Sequence, residues 1–283
     1  MSAPGNGSRL EARRRFRALV EGKESFDLLE GCLLVGAEEY RALDVAAEVA
    51  RVDALGREAL RRVEHLSNLF ARLDALRSLL FEDLGFRGSA DQHDDPRNSY
   101  LNEVLNRRLG IPITLSILYV EVAARAGIEA RGVALPGHFV VRVDDGTRTV
   151  FVDPFHGGNV ITEDDCRDLT ARTTGRASLF RRGFLDGANA PAILARLLHN
   201  LKRVHLARED YPRAHAAVER ILIVSPSEHR ELRDRGFLHA HLGRTDAAVA
   251  DLEAYLTLAP RAPDAEAVRG RLAWLVRKMS EIS

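Results

Sequence analysis

The chain has 283 residues, 46% of them hydrophobic and 29% charged, which suits a soluble protein with an apolar core and length for about two domains. Its 41 basic and 41 acidic side chains cancel, so no bulk charge draws it to nucleic acid or to an anionic membrane. Two isolated cysteines, Cys32 and Cys166, make neither a disulfide framework nor a metal cluster, and a reducing, cytoplasmic location is expected.

Residues 1–9 are expected to be disordered, and "MSAPGNGSRLEARRRF" lacks the apolar run of a secretory signal. No apolar stretch approaches the roughly 18 residues of a membrane span. Residues 10–86 read as helical. Apolar residues recur at helical spacing in 25–40 and again in 57–86, where Leu60, Val63, Leu66, Leu69, Phe70, Leu73, Leu76, Leu79 and Leu80 form one stripe. That stripe predicts a helix stopping near Gly85. A polar loop opens 87–112, followed by a short helix over about 99–108, ended by Gly110 and Pro112. His93, Asp94 and Asp95 in this loop are too few and too local to predict a metal site. Residues 113–128 are apolar on nearly every face, which predicts a helix buried at the domain centre, with Gly127 past its end.

The period then changes to two. "EARGVAL", "HFVVRV" and "RTVFVD" predict strands. Asp145-Gly146 predicts a two-residue type I′ turn between the last two. On that register Val141 faces Val150, Phe139 faces Val152, and His138 faces Asp153 directly. A carboxylate in that place can fix the imidazole tautomer and favour its charged form. A one-residue slip would separate the pair. Thr162 and Asp165 predict a capping box at the start of a helix, and 170–191 is poorly patterned, as a linker would be.

From about 192 the chain is helical and repeats. Ala214 and Ala248 stand 34 residues apart, as do Pro226 and Pro260, Glu209 and Gly243, and Gly236 and Gly270. That period with two helices per unit is the signature of the tetratricopeptide repeat (TPR). Residues 263–279 are expected to form a final capping helix. The expected division is 10–186 for the helical segment with the mixed domain and 190–283 for the repeats.

"NSYLNEVLNRRLGIPITLSILYVEVAARAGI", "LPGHFVVRV" and "VDPFHGG" closely resemble the bacterial SirB-type family, which couples a transglutaminase-like domain to C-terminal TPR repeats. "SFDLLEGCLLVGAEEYRALDV" resembles the N-terminal helical segment of that family, so the resemblance covers about 25–280. It implies an α+β fold: N-terminal helices, a papain-like core with a central helix on an antiparallel sheet, then an all-α repeat domain. It also implies a Cys-His-Asp site in active members, with His138 and Asp153 in the last two roles. The nucleophile position falls in "GIPITLS", which has no cysteine. Thr114 is favoured there, with Ser116 as the alternative. Members of the family commonly carry Ser or Thr at this place.

Neither Cys32, in an apolar helical run, nor Cys166, which breaks the chain order of the triad, is expected to substitute. Asn98, Tyr100 and Asn102 could line a cleft, with helix capping the simpler role for Asn98. Glu121, seven residues after Thr114 on one helix face, could reach toward the site. His156 could border the pocket or serve a turn. No nucleotide-binding glycine motif is present, and no cofactor or metal is expected. Two functions compete. One is a non-catalytic or non-canonical module that binds a protein or peptide through its cleft and its repeats. The other is a hydrolase or acyltransferase with Thr114 or Ser116 as nucleophile, His138 as base and Asp153 as orienter. The absent thiol favours the first.

Overall fold

The computed structural model of the chain describes residues 7–22, 26–91 and 94–282. Two compact units meet between Leu194 and Ala195. The expectations for residues 1–6 and for His93 fall outside the described residues.

The first unit opens with helices α1 (Gly7–Glu21), α2 (Leu28–Glu39), α3 (Val45–Val63) and α4 (Leu69–Arg77), the last running on into a π-helical turn, Ser78–Asp83. Asp27 and Asp44 cap α2 and α3, accepting from the amides of Glu30 and Ala47. The single helix expected over 57–86 is in fact two. Asn68 is the reason: its side chain accepts from the amides of Phe70 and Ala71 and starts α4 afresh. The stripe is broken with it, so Leu60 and Phe70 are exposed.

A short strand β1 (Arg87–Gly88) pairs in parallel with β2 (Leu109–Gly110), and α5 (Leu101–Arg107) lies between them. This helix lies within the expected 99–108, but Gly110 is not what ends it. Arg108 ends it in a left-handed conformation, φ 58°. The central helix α6 (Pro112–Arg125) begins with proline at its first position and buries Ile113, Leu115, Ile117, Leu118, Tyr119 and Val122.

Four antiparallel strands follow in sequence order: β3 (Ala130–Leu135), β4 (His138–Asp144), β5 (Thr149–Asp153) and β6 (Asn159–Ile161). The tight turn of the sheet joins β3 to β4. Leu135 pairs with His138 across Pro136-Gly137, and Gly137 takes the positive φ, 75°, that a type II turn needs after its proline. The β4–β5 connection is longer than expected. Val141 pairs with Val152 and Asp144 with Thr149, which leaves a four-residue loop, Asp145–Arg148. A type I′ turn needs positive φ at both central residues, and only Gly146 has it. Asp145 Oδ1 instead accepts from Thr147 N, Thr147 Oγ1 and Arg148 N, which draws both residues into the loop.

Helix α7 (Glu163–Thr174) opens on the reciprocal Thr162–Asp165 box and packs Cys166 and Leu169 against Val133, Leu135, Val140 and Phe151 of the sheet. The segment after it holds two short 3-10 turns, at Ala177–Leu179 and Arg182–Asp186.

Helix α8 (Ala190–Ala207) leads into the second unit: α9 (Tyr211–Val224), α10 (His229–His241), α11 (Thr245–Leu258) and α12 (Ala265–Ile282). Ala214 and Ala248 are fully buried, as a close helix pair requires. Gly236 is equally cramped, since a Cβ there would come within 2.8 Å of Leu252. Its counterpart Gly270 has open space instead. It sits on α12, where a Cβ would meet nothing within 4 Å.

Candidate functional site

The site grows from the mouth of the β4–β5 pair. His138 is the first residue of β4, and Asp153 is the last of β5. The register sets His138 two positions from direct opposition to Asp153, a correction to the expected pairing. A shift by two keeps both side chains on one face, so the contact survives as a diagonal. His138 Nε2 lies 3.1 and 3.0 Å from the two Asp153 carboxylate oxygens. Both side chains are only 3% exposed.

Asp153 also caps the 3-10 turn Pro154–His156, accepting from the amides of Phe155 and His156 at 3.1 and 3.3 Å. Residues i and i+3 of such a turn eclipse. His156 therefore folds back, and its Nδ1 lies 2.7 Å from Asp153 Oδ2. The two imidazoles flank one carboxylate, with ring centroids 5.5 Å apart. Burial pushes the Asp153 pKa up, but the hydrogen bonds and positive potential of His138 and His156 prevail and hold it below the usual carboxylate value. His156 is 56% exposed. It opens into a cleft of about 340 Å3 that Asn159, Ile161, Asp165, Leu169 and Arg172 complete. His156, expected either to border the pocket or to serve a turn, does both: it ends the 3-10 turn and lines the cleft.

Thr114 is fully buried, three residues into α6. A hydroxyl has one proton and two lone pairs. Thr114 Oγ1 accepts from Ile111 N at 3.1 Å, and its proton faces the carbonyls of Asn98 (2.9 Å) and Ile111 (3.1 Å). The hydroxyl ties the start of the central helix to the preceding turn. Ser116, also buried, donates to the Phe139 carbonyl at 3.3 Å. Among the described residues neither hydroxyl is hydrogen-bonded to His138.

The weaker candidates separate. Asn98 caps no helix: it lies inside the 3-10 turn Pro96–Ser99, and its Oδ1 accepts from Arg107 Nη1 at 3.0 Å. Tyr100 is buried edge-on against Tyr40, 5.4 Å between centroids. Asn102 presses its amide on Gly36 of α2, where a Cβ would come within 2.5 Å of its oxygen. Glu121 pairs with Arg125 at 2.7 Å, and Arg125 reaches Asp53 of α3 at 2.7 Å. Burial raises the Glu121 pKa against the opposing pull of Arg125. Glu121 lines a different depression, with Asp27, Arg131 and Ile193. In the 87–112 loop Asp95 is engaged by Arg97 rather than poised for a metal.

Both thiols are buried and unpaired. Burial, reinforced by Glu121, drives the Cys32 pKa far up, and burial with Asp153 pushes Cys166 up to about 12. Neither is a thiolate at neutral pH. Among the described residues no helix is long and apolar enough to cross a membrane.

The fold and site define a class that comparison with known proteins matches. Residues 46–199 match the transglutaminase-like superfamily, and residues 201–273 match the tetratricopeptide repeat. A UPF0162 protein of Xylella fastidiosa is 37% identical over 254 residues, 88% of this chain and 90% of its own. The UPF0162 protein YchA of Escherichia coli K12 is 25% identical over 255 residues, 89% of this chain and 93% of its own. F-box only protein 21 of Mus musculus is 28% identical over 183 residues, 60% of this chain and 28% of its own. The chain belongs to the UPF0162 family and joins a transglutaminase-like domain to TPR repeats.

Proposed function

We propose that this chain is a non-catalytic binding module of the cytoplasm. Its cleft and its TPR helices each receive a polypeptide partner, as surfaces of stacked helical repeats commonly do. One observation carries this reading: the Thr114 hydroxyl is engaged by the carbonyls of Asn98 and Ile111, 2.9 and 3.1 Å away. A general base must take the hydroxyl proton before the oxygen can attack a carbonyl. His138, the residue for that task, has its Nε2 on Asp153, as a base oriented by a carboxylate also would, so the weight falls on the engaged hydroxyl. The two buried thiols offer no substitute. The persistence of the His138–Asp153 pair is the observation on the side of a hydrolase or acyltransferase acting through Thr114 or Ser116.

Acyl-directed electrophiles separate the two. The full chain is incubated with a panel of them and mapped by mass spectrometry beside His138→Ala. The binding reading expects no adduct at Thr114 or Ser116. An adduct at either residue that disappears in His138→Ala establishes the enzyme instead.

A further inference from the structure

His156 changes what the His138–Asp153 pair can do. A hydrolytic dyad needs one imidazole and one carboxylate, and here a second imidazole closes on the same carboxylate. Three ligand-type atoms, His138 Nε2, an Asp153 oxygen and His156 Nδ1, lie within 4.8 Å of one another. Two imidazoles and one carboxylate with an open position is the donor set of mononuclear zinc sites.

We propose that His138, Asp153 and His156 form a binding site for a divalent first-row metal ion, with Zn2+ the ion its donors fit.

The backbone organises the three donors as a chelate. Asp153 and His156 come from one 3-10 turn, eclipsed at i and i+3, and His138 arrives from the neighbouring strand. Around a tetrahedral ion with bonds near 2.1 Å, neighbouring donor atoms stand about 3.4 Å apart. The present separations of 2.7 and 3.0 Å need to open by roughly 0.4–0.7 Å, and the two imidazole nitrogens already stand within 4.8 Å of each other. The outer groups that hold ligands in place are also there. The amides of Phe155 and His156 anchor Asp153 Oδ1, and the His156 carbonyl accepts from Asn159 Nδ2 at 2.7 Å. The buried His138 and Asp153 shield one side, and the half-exposed His156 leaves the fourth position facing the cleft. Asp165 in that cleft is held by Thr162, and Arg172 adds a positive charge that suits an anionic fourth ligand over a second cation.

A second grouping in the repeats, His199 with Glu228 and Glu231, has similar spacing. It offers one imidazole and two carboxylates, and Lys202 Nζ sits 2.7 Å from Glu231 Oε1, so an ammonium already supplies the positive charge there. It serves as the internal control.

The inference stands apart from the binding reading, because an ion could occupy the site whether or not a polypeptide docks beside it. The test uses the full chain stripped with a chelator, then titrated with Zn2+ by calorimetry and with Co2+ by visible absorption. The expected result is one equivalent bound, with the intense visible bands of tetrahedral Co2+. Affinity should fall about tenfold or more in His156→Ala and stay unchanged in His199→Ala. His156→Gln is the second variant, and circular dichroism on both checks that the fold is intact. The proposal is overturned by the absence of saturable binding at one equivalent. It is equally overturned by binding that both His156 variants leave intact, or by binding that His199→Ala removes.

Discussion

His138 Nε2 lies 3.0 Å from Asp153 Oδ2 across a diagonal of the β4–β5 pair, two positions from direct opposition. A diagonal contact needs long side chains on one face, and it is insensitive to a loop that grows by two residues. The pair depends on the parity of the register and on the 3-10 turn beneath Asp153.

The Asp153 carboxylate should therefore be a stabilising group with a defined pH dependence. Its pKa is depressed in the folded state, so its contribution is present above the ordinary carboxylate range and disappears as pH falls through the folded value. Asp153→Asn should cost about 1–3 kcal/mol at neutral pH, since an amide cannot accept from two imidazoles and two backbone amides at once. Denaturant midpoints of the two proteins should converge as pH falls below the ordinary carboxylate range and through the depressed folded-state value. A difference that stays constant with pH would assign the loss to packing.

The repeats hold a second acid-sensitive pair. His215 Nε2 faces His239 Nε2 at 3.3 Å, with Glu219, Arg235, Arg244 and Asp251 around them. Burial, with the neighbouring His239, Arg244 and Arg235 outweighing Glu219, pushes the His215 pKa down to about 4. Between pH 6.5 and 4 the unfolded chain binds a proton that the folded chain refuses, so stability must fall as pH falls across that window. His215→Phe should flatten this slope by an amount on the order of 1–3 kcal/mol, read from thermal midpoints at pH 7 and pH 5.

Glu209 and Gly243 occupy the same place in successive repeats, and both are left-handed, with φ 55° and 72°. Glycine accepts that conformation without a Cβ penalty. Glu209→Gly should be neutral to stabilising by up to about 1 kcal/mol, and Gly243→Ala should destabilise by about 1 kcal/mol. Chemical denaturation of the two variants checks the contrast.

The glycine pair on α10 and α12 should split the other way. Gly236→Ala forces a methyl to within 2.8 Å of Leu252 and should cost about 1–3 kcal/mol. Gly270→Ala meets nothing and should gain about 0.5–1 kcal/mol from helix propensity. Equal effects at the two positions would contradict the packing difference between them.

Much of this molecule was legible in its sequence, and what was not has local causes. Strong periodicity exposed the central helix, the strands and the 34-residue repeat, because burial of one face dictates the pattern. Side chains that bond their own backbone escaped that logic. Asn68 divides a continuous apolar stripe into two helices, and Asp145 turns an apparent two-residue hairpin into a four-residue loop. The site shows the same limit. His138 and Asp153 followed from strand parity, but His156 depends on a 3-10 turn with no apolar period to announce it. Thr114 sits at the start of the central helix as expected, but its ties to the Asn98 and Ile111 carbonyls depend on a fold contact that no sequence period announces. Gly270 matched the repeat by number and not by environment.

The Thr114 hydroxyl is a structural tie between the Asn98 carbonyl and the start of the central helix. Thr114→Val keeps the shape and removes that tie, leaving the Ile111 amide without its acceptor. The most direct measurement is the unfolding free energy of Thr114→Val against wild type and Thr114→Ser. A structural hydroxyl predicts that Val costs about 1–3 kcal/mol and that Ser, which keeps the oxygen, restores most of it. A Val variant as stable as wild type, or more stable, would mean that the fold does not need this hydroxyl, as expected of a group kept for chemistry.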